Sequence, residues 1–408
     1  MHKTKPYLIL FLLFIVIGSV VSCTKSLEDP SAPPVIKTLP SISKIYPESA
    51  GGGDTVTIAG KNFLVDGTNP TITINDKPVT VIKRISDTLK VIIPKLAGSG
   101  QVVMTSKGKD YTGPQFTYKY KAIVTTVAGS GAVGTGDGSG RQASFNCPWG
   151  VTLDDNNGLY IADCYNRLIR KINLADNSVS TINIPSYVDG GEFYSPYNIT
   201  FNGTDKALYV TDFNKHLMRV SAEGSSKVIY TGTMPTTGIA VGADGYLYMS
   251  NNIKGTIMKL STDGKDTVNF SSGIKTPRNI IFDKTNTMYV AGYDGSSESA
   301  AIFKVDNAGK STRVAKDKGF KGWEIAVDAQ GNFYEADHFG NTIKLIEKNG
   351  NVVTLAGSGN AADVDGVGLK ASFDGPQGMV MDKNGNLYVT TYNYDKKTGN
   401  KVRKIVIE

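Results

Sequence analysis

The sequence predicts an all-β protein, a small immunoglobulin-like sandwich followed by a six-bladed β-propeller that is closed by an N-terminal strand. Three observations carry that expectation. After Cys147 one phrase recurs six times: an apolar strand, a Gly/Asn-rich turn, then an apolar strand centred on tyrosine. The copies are PWGVTLDDNNGLYIAD, PYNITFNGTDKALYVTD, TTGIAVGADGYLYMSN, PRNIIFDKTNTMYVAG, GWEIAVDAQGNFYEAD and PQGMVMDKNGNLYVTT. Their tyrosines, Tyr160, Tyr209, Tyr248, Tyr289, Tyr334 and Tyr388, are spaced by 49, 39, 41, 45 and 54 residues, which is the period of a propeller blade. Before the repeats, residues 42–118 alternate apolar and polar positions between Gly/Pro/Asn turns, as a small antiparallel sandwich does. Finally, the sixth copy runs out after its third strand, and a matching fourth strand lies near residue 123.

Composition agrees with this class. The chain has 408 residues, 40% hydrophobic content and 45 glycines, enough apolar material for two or three domain cores and little helical periodicity. The domains expected are a leader over 1–22, a tether over 23–38, the sandwich over 39–120 and the propeller over 121–408.

The leader opens with basic His2, Lys3 and Lys5 and continues as an apolar run from Leu8 to Ile17. That run has the length of a signal-peptide core and is short for a membrane span. It ends in Val20-Val21-Ser22-Cys23, which resembles a bacterial lipobox. The resemblance implies cleavage before Cys23 and lipidation of that cysteine, and multiple acyl chains make a stable anchor. Thr24 to Thr38 would reach ~50 Å fully extended, and its Glu28 and Asp29 loosely resemble the surface-export signal of Bacteroidota-type lipoproteins. The expected location is therefore the bacterial outer membrane, with the outer surface favoured over the periplasmic leaflet.

Net charge is +7; removing Lys3 and Lys5 with the leader gives 7 − 2 = +5. The basic residues are spread out, so nucleic acid is not an expected partner, and the lipid anchor is the one expected contact with membrane. Of three cysteines, Cys23 goes to lipid. Cys147 precedes the first strand of a blade and Cys164 follows the second. A hairpin folded about Asn156-Asn157 lets the two meet, as a disulfide in an exported protein or as neighbouring thiols.

The segment from Ile42 to Tyr118 resembles the TIG/IPT family of immunoglobulin-like domains. The resemblance rests on Pro47, the Gly51-Gly52-Gly53 turn, Thr57-Ile58-x-Gly60-x-Asn62-Phe63, Pro94 and Phe116-x-Tyr118. It implies a spacer. The repeats, with Asn166-Arg167-Leu168 and Asn214-Lys215-His216-Leu217 after the second strand, resemble the NHL repeat. The third and fourth copies depart from it with Asn251 and Gly292 in place of the terminal Asp. In the first copy the four strands are expected at Gly150–Asp154, Leu159–Asp163, Leu168–Asn173 and Val179–Asn183. Residues 123–131 (IVTTVAGSG) match 352–359 (VVTLAGSG), the fourth strand of the fifth copy, so they are expected to complete the sixth blade and hide its edge.

Strand parity then locates a face. Loops before each innermost strand and loops after each second strand share one end of the ring. The first set places Trp149, Tyr197, Thr237, Arg278, Trp323 and Gln377 around the mouth. The second adds Tyr165, Phe213, Tyr293, His338, Phe339, Tyr392 and Tyr394. Flat aromatics beside Arg and Gln stack on sugar rings and bond their hydroxyls; equally, some of these rings can plug the channel. The Gly/Asp-rich stretches 129–140 and 357–368 offer Asp137, Asp363 and Asp365, too sparse for a calcium loop, and are read as tight turns.

Enzyme classes find little support. The gluconolactonase family places Glu, Asn and Asp metal ligands at the mouth positions, and here the nearest oxygen ligands, Asn198, Asn279 and Glu324, sit one place further along. Only His216 and His338 follow the leader, too few for a three-histidine zinc site, and His216 matches the structural histidine of the NHL repeat. His338 with Glu324 resembles part of a streptogramin-lyase pair and is the one enzyme alternative retained. Nucleophile elbow, P-loop and dinucleotide motifs are missing, and neither metal nor cofactor is expected. The arrangement as a whole resembles Bacteroidota surface lipoproteins. That resemblance implies a non-catalytic protein binding an extracellular poly- or oligosaccharide beside an outer-membrane uptake complex, or a scaffold for a protein partner.

Overall fold

The computed structural model describes residues 39–64, 70–184, 187–188, 191–192, 194–233, 236–293, 300–316 and 324–408. Cys23 and Trp323 lie outside the described residues. The described chain is built of strands and a few single-turn 3₁₀ segments.

The N-terminal domain is a two-sheet sandwich. One sheet orders Ser41–Tyr46, Thr55–Lys61, Thr88–Ile92 and Thr80–Ile85; the other orders Ser49–Ala50, Lys109–Tyr118, Gly100–Ser106, Thr71–Ile74 and Lys77–Pro78. Alternation decides which side chains enter: along Thr55–Lys61, Val56, Ile58 and Gly60 are buried while their neighbours are more exposed. Ile45, Phe63, Ile72, Leu89, Met104 and Phe116 complete the core.

Six further antiparallel sheets follow, numbered here as blades 1 to 6. Blade 1 comprises Pro148–Leu153, Gly158–Asp163, Leu168–Asn173 and Ser178–Ile182 in sequential order. The innermost strands of blades 2 to 6 are Pro196–Asn202, Ile239–Val241, Ile280–Phe282, Glu324–Val327 and Pro376–Met381. Each of these packs against the next, and the sixth packs against the first, so the described sheets close into a ring. Closure comes from the N-terminal side: Ala122–Ala128 pairs antiparallel with Thr398–Ile407, with Val124 opposite Ile405. Outside it, Gly366–Val367 adds a short fifth strand, so the edge of the composite blade is covered.

The repeated tyrosine has a physical job. Its ring packs in the blade, and its hydroxyl donates to an aspartate in the preceding turn. The pairs are Tyr160 to Asp154 (3.1 Å), Tyr209 to Asp205 (2.7 Å), Tyr248 to Asp244 (2.8 Å) and Tyr334 to Asp328 (3.1 Å). The aspartate ending the second strand caps the next turn; Asp212 accepts from the His216 N–H (2.8 Å) and contacts its ring Nδ1 (3.0 Å). Asn251 does the same work in blade 3, accepting the Lys254 N–H at 2.9 Å. The lost Asp of that copy is thus replaced in function.

The two Gly/Asp-rich loops are held by arginines. Arg170, fully buried, donates to Asp163 (2.9 Å), Asp137 (2.6 Å) and the carbonyls of Ser144 and Gly136. Arg403, also fully buried, repeats the arrangement with Asp363, Asp365 and the carbonyls of Ser372 and Val364. A buried guanidinium needs acceptors for its donors, and these loops supply them to both terminal nitrogens of each arginine, while each Nε is left without a partner. Asp137, Asp363 and Asp365 therefore serve arginine.

The sandwich docks on the face opposite the predicted mouth. Glu347, in a blade 5 turn, accepts the Ser99 N–H and the Tyr120 hydroxyl, both at 2.7 Å, while the Asn349 side chain donates to the Ser99 carbonyl at 2.8 Å.

Candidate functional site

On the mouth face the side chains from different blades form a chain of ring contacts. Trp149 of blade 1 lies 4.4 Å from Tyr197 of blade 2, centroid to centroid, and Tyr197 lies 4.8 Å from Phe213. In the other direction Trp149 is 5.6 Å from Tyr394 of blade 6, which is 5.4 Å from His338; His338 is 4.9 Å from Phe339. A branch runs from Tyr394 to Tyr392 (5.1 Å) and on to Tyr165 (5.8 Å). Most of these pairs are edge-on or tilted, the arrangements that ring quadrupoles favour. Arg278 extends the face toward blade 4, its guanidinium 5.8 Å from the Tyr293 ring.

Burial sorts this set into supports and contact surface. Trp149, Tyr392, Gln377 and His338 are buried, at 5%, 2%, 1% and 7% exposure. The sequence places all four at the ligand face; in the structure they lie beneath the exposed rings as its floor. The reason is crowding at the mouth of blades 1 and 6: Gln377 Nε2 donates to the Tyr392 carbonyl at 3.0 Å, and Trp149 is covered by Tyr197 and Tyr394. Tyr165, Phe213 and Phe339 are the exposed rings, at 50%, 42% and 64%. Tyr197, Arg278 and Tyr293 are half-buried. Tyr394, one mouth-face aromatic among many in the sequence, proves to be the junction of the run. Nothing in its local spacing marks it out.

Beneath the aromatics, one residue further along the innermost strands, Asn198, Asn279 and Glu324 do converge. The side-chain amides of Asn198 (3.3 Å) and Asn279 donate to the two oxygens of Glu324. Their own oxygens accept backbone N–H groups, of Ile199 at 2.8 Å and Ile325 at 3.3 Å. Those backbone bonds fix the amides with nitrogen toward the carboxylate, so the trio is a hydrogen-bonded plug and its amide oxygens are turned away from any shared ligand. Burial pushes the Glu324 carboxyl up to about 8, partly offset by the charge of Arg278. The same strand position carries glycine in blades 1, 3 and 6, as Gly150, Gly238 and Gly378. A Cβ on Gly238 would strike the Arg278 carbonyl, and one on Gly378 the Trp149 carbonyl, so these glycines let the strands approach at the axis. A cavity of about 240 Å³ lined by Phe201, Ile281 and Met379 lies against the plug.

His338 and Glu324 have different neighbours. His338 packs on Phe339 and Tyr394, and burial holds its imidazole below the usual histidine range, hence neutral. Glu324 faces the two asparagines. Among the described residues no group of three His, Cys, Asp or Glu side chains is placed to hold a metal ion. Cys147 and Cys164 are thiols here, both buried and packed with Trp149 and Tyr392.

Residues 40–120 match the IPT/TIG domain and residues 145–172 the NHL repeat. The fold is similar to a solved auxiliary nutrient binding protein from Bacteroides thetaiotaomicron, with a TM-score of 0.57 at 19% identity, over 91% of this chain and 98% of that one. It is also similar to a gluconolactonase from Xanthomonas campestris, with a TM-score of 0.51 at 13% identity, over 70% of this chain and 90% of that one. By sequence, NHL repeat-containing protein 2 of Gallus gallus is 27% identical over 312 residues, 68% of this chain and 42% of the relative. The chain thus spans less than half the length of that curated relative.

Proposed function

We propose that this protein is a non-catalytic binding protein that takes an extracellular poly- or oligosaccharide on the aromatic face of its propeller. The observation that carries the reading is the run of ring contacts from Phe213 to Phe339 with its branch to Tyr165, buried at Trp149 and His338 and exposed at Phe213, Tyr165 and Phe339. Sugar rings present flat C–H faces, which such rings cover at little entropic cost, while Arg278 at the edge offers donors for hydroxyls. A fold shared with a protein described as an auxiliary nutrient binding protein supports a role in capture over chemistry.

Lipidation at Cys23 would hold the chain on the outer membrane, and the sandwich, docked on the opposite face, would leave the aromatic face free. An outer-membrane transport complex is the natural recipient of what is captured. A glycan array probed with the full chain tests the reading: retention of a poly- or oligosaccharide without its breakdown supports it. Absence of any glycan signal, with co-purification of an outer-membrane protein, would replace it with a scaffold role. Release of Cys23→Ser from the membrane fraction checks the anchor.

A further inference from the structure

The propeller contains an internal comparison that bears on its two buried cysteines. The loops entering blades 1 and 6 are twins, reading ASFNCPWG and ASFDGPQG, and both are gripped by a buried arginine. In blade 6, Gly375 adopts a left-handed backbone (φ 66°), and its carbonyl accepts the Tyr392 N–H at 2.8 Å. In blade 1 the same place is held by Cys147 (φ 59°), whose carbonyl accepts the Cys164 N–H at 3.2 Å. One backbone arrangement is thus built twice. Where blade 6 uses glycine and tyrosine, blade 1 uses cysteine at both positions.

A left-handed conformation disfavours a residue with a Cβ, yet blade 4 carries Thr276 (φ 44°) before the matching proline, so what sets blade 1 apart is that both residues of the pair are cysteine. The paired substitution points to the sulfur atoms. The backbone bond between Cys164 and Cys147 sets the two residues side by side, and both pack in one buried cluster with Trp149 and Tyr392. They sit directly past the Pro148–Asp163 pair, at the mouth end of the blade 1 hairpin. The Cys147 N–H is held by Asn400 Oδ1 at 3.0 Å, which fixes that residue against blade 6.

We infer that Cys147 and Cys164, separate thiols in the structure, close into a disulfide on oxidation and so staple blade 1 directly under the aromatic face. The chemistry is exchange with a disulfide oxidant, RSSR. One cysteine thiolate attacks it and expels RS⁻, and the second then attacks the mixed disulfide and expels the other RS⁻. Two thiol protons and two electrons leave the protein, and two RSH form. Because both sulfurs are buried at 1% exposure or less, exchange takes place while the chain folds, and the finished bond is shielded from reductants.

Trypsin leaves both cysteines in one peptide, Gln142–Arg167, apart from Cys23. The full chain is refolded with oxidised glutathione, and its free thiols are alkylated after unfolding. The expected peptide is unalkylated and lighter than the dithiol by its two thiol hydrogens. In a Trp323→Phe background, emission from Trp149 should be weaker than in the reduced protein, because a disulfide in its own cluster quenches it. Cys147→Gly copies the blade 6 backbone and should fold, leaving Cys164 open to alkylation. Alkylation of both cysteines in the refolded wild type, or glutathione attached to each, would overturn the inference. These readouts need no ligand, so they stand apart from the fate of the glycan reading.

Discussion

Trp149 and Tyr197 come from adjacent blades, yet their rings lie 4.4 Å apart and tilted by 35°. That contact turns two innermost strands into one supported surface. It also means that the tryptophan acts through its neighbours, with only 5% of its own surface exposed. Trp149→Ala should cost about 3–5 kcal/mol of stability, the usual range for a large aromatic removed from a packed site. Thermal or denaturant unfolding checks this. A variant as stable as wild type would mean that the ring is not a structural support.

The arginine clamps make a second stability prediction. Arg170→Met would leave Asp163 buried beside a side chain that cannot pair with it. Breaking one partner of a buried ion pair costs about 3–5 kcal/mol, and Arg403→Met should cost a similar amount through Asp363. Because Asp137 is half-exposed, Asp137→Asn should cost much less. Chemical denaturation of the three variants orders them.

Glu324 makes the stability depend on pH. Its folded carboxyl is raised to about 8 from an ordinary value of 4.5. A raised folded value means that the folded state holds the proton more tightly, so this group's contribution is complete below about pH 4.5. It is lost progressively as the pH climbs through 8. Wild type should therefore lose stability across that window, and Glu324→Gln should flatten the slope. Unfolding midpoints at a series of pH values decide it. Identical slopes would show that Glu324 does not titrate there.

Ring closure rests on one segment. Deleting Ala122–Ala128 removes the partner of Thr398–Ile407 and exposes the sixth blade along its length. The truncated protein should melt well below wild type and elute as larger species, since an open edge recruits other chains. Unchanged melting and elution would mean that the blade closes by another route.

How much of this was legible beforehand follows from the kind of signal involved. The six tyrosine phrases mark blades because each tyrosine must reach an aspartate within its own hairpin, a constraint a few residues long. The closing strand was visible because residues 123–131 copy 352–359. Parity correctly put Trp149, Tyr197, Phe213 and Tyr394 on one face. What parity does not contain is depth. Whether Gln377 or Tyr392 points into solvent or into the floor depends on how tightly blades 1 and 6 approach, and Gly378 permits that approach by leaving room for the Trp149 carbonyl. The convergence of Asn198, Asn279 and Glu324 did leave a trace, as polar residues one place past the mouth in blades 2, 4 and 5. Their mutual hydrogen bonds depend on the ring's radius, which no local pattern encodes.

The central claim is that exposed rings on a buried aromatic floor hold a glycan. Its most direct test is to measure saccharide binding by wild type and by Tyr165→Ala/Phe213→Ala/Phe339→Ala, using calorimetry on a glycan retained in the array. These side chains lie at the surface, so the variant should melt near wild type. By analogy with aromatic stacking on bases, each ring contributes about 1–3 kcal/mol, so binding should fall below detection. A triple variant that still binds as wild type does would contradict the account and place the ligand elsewhere.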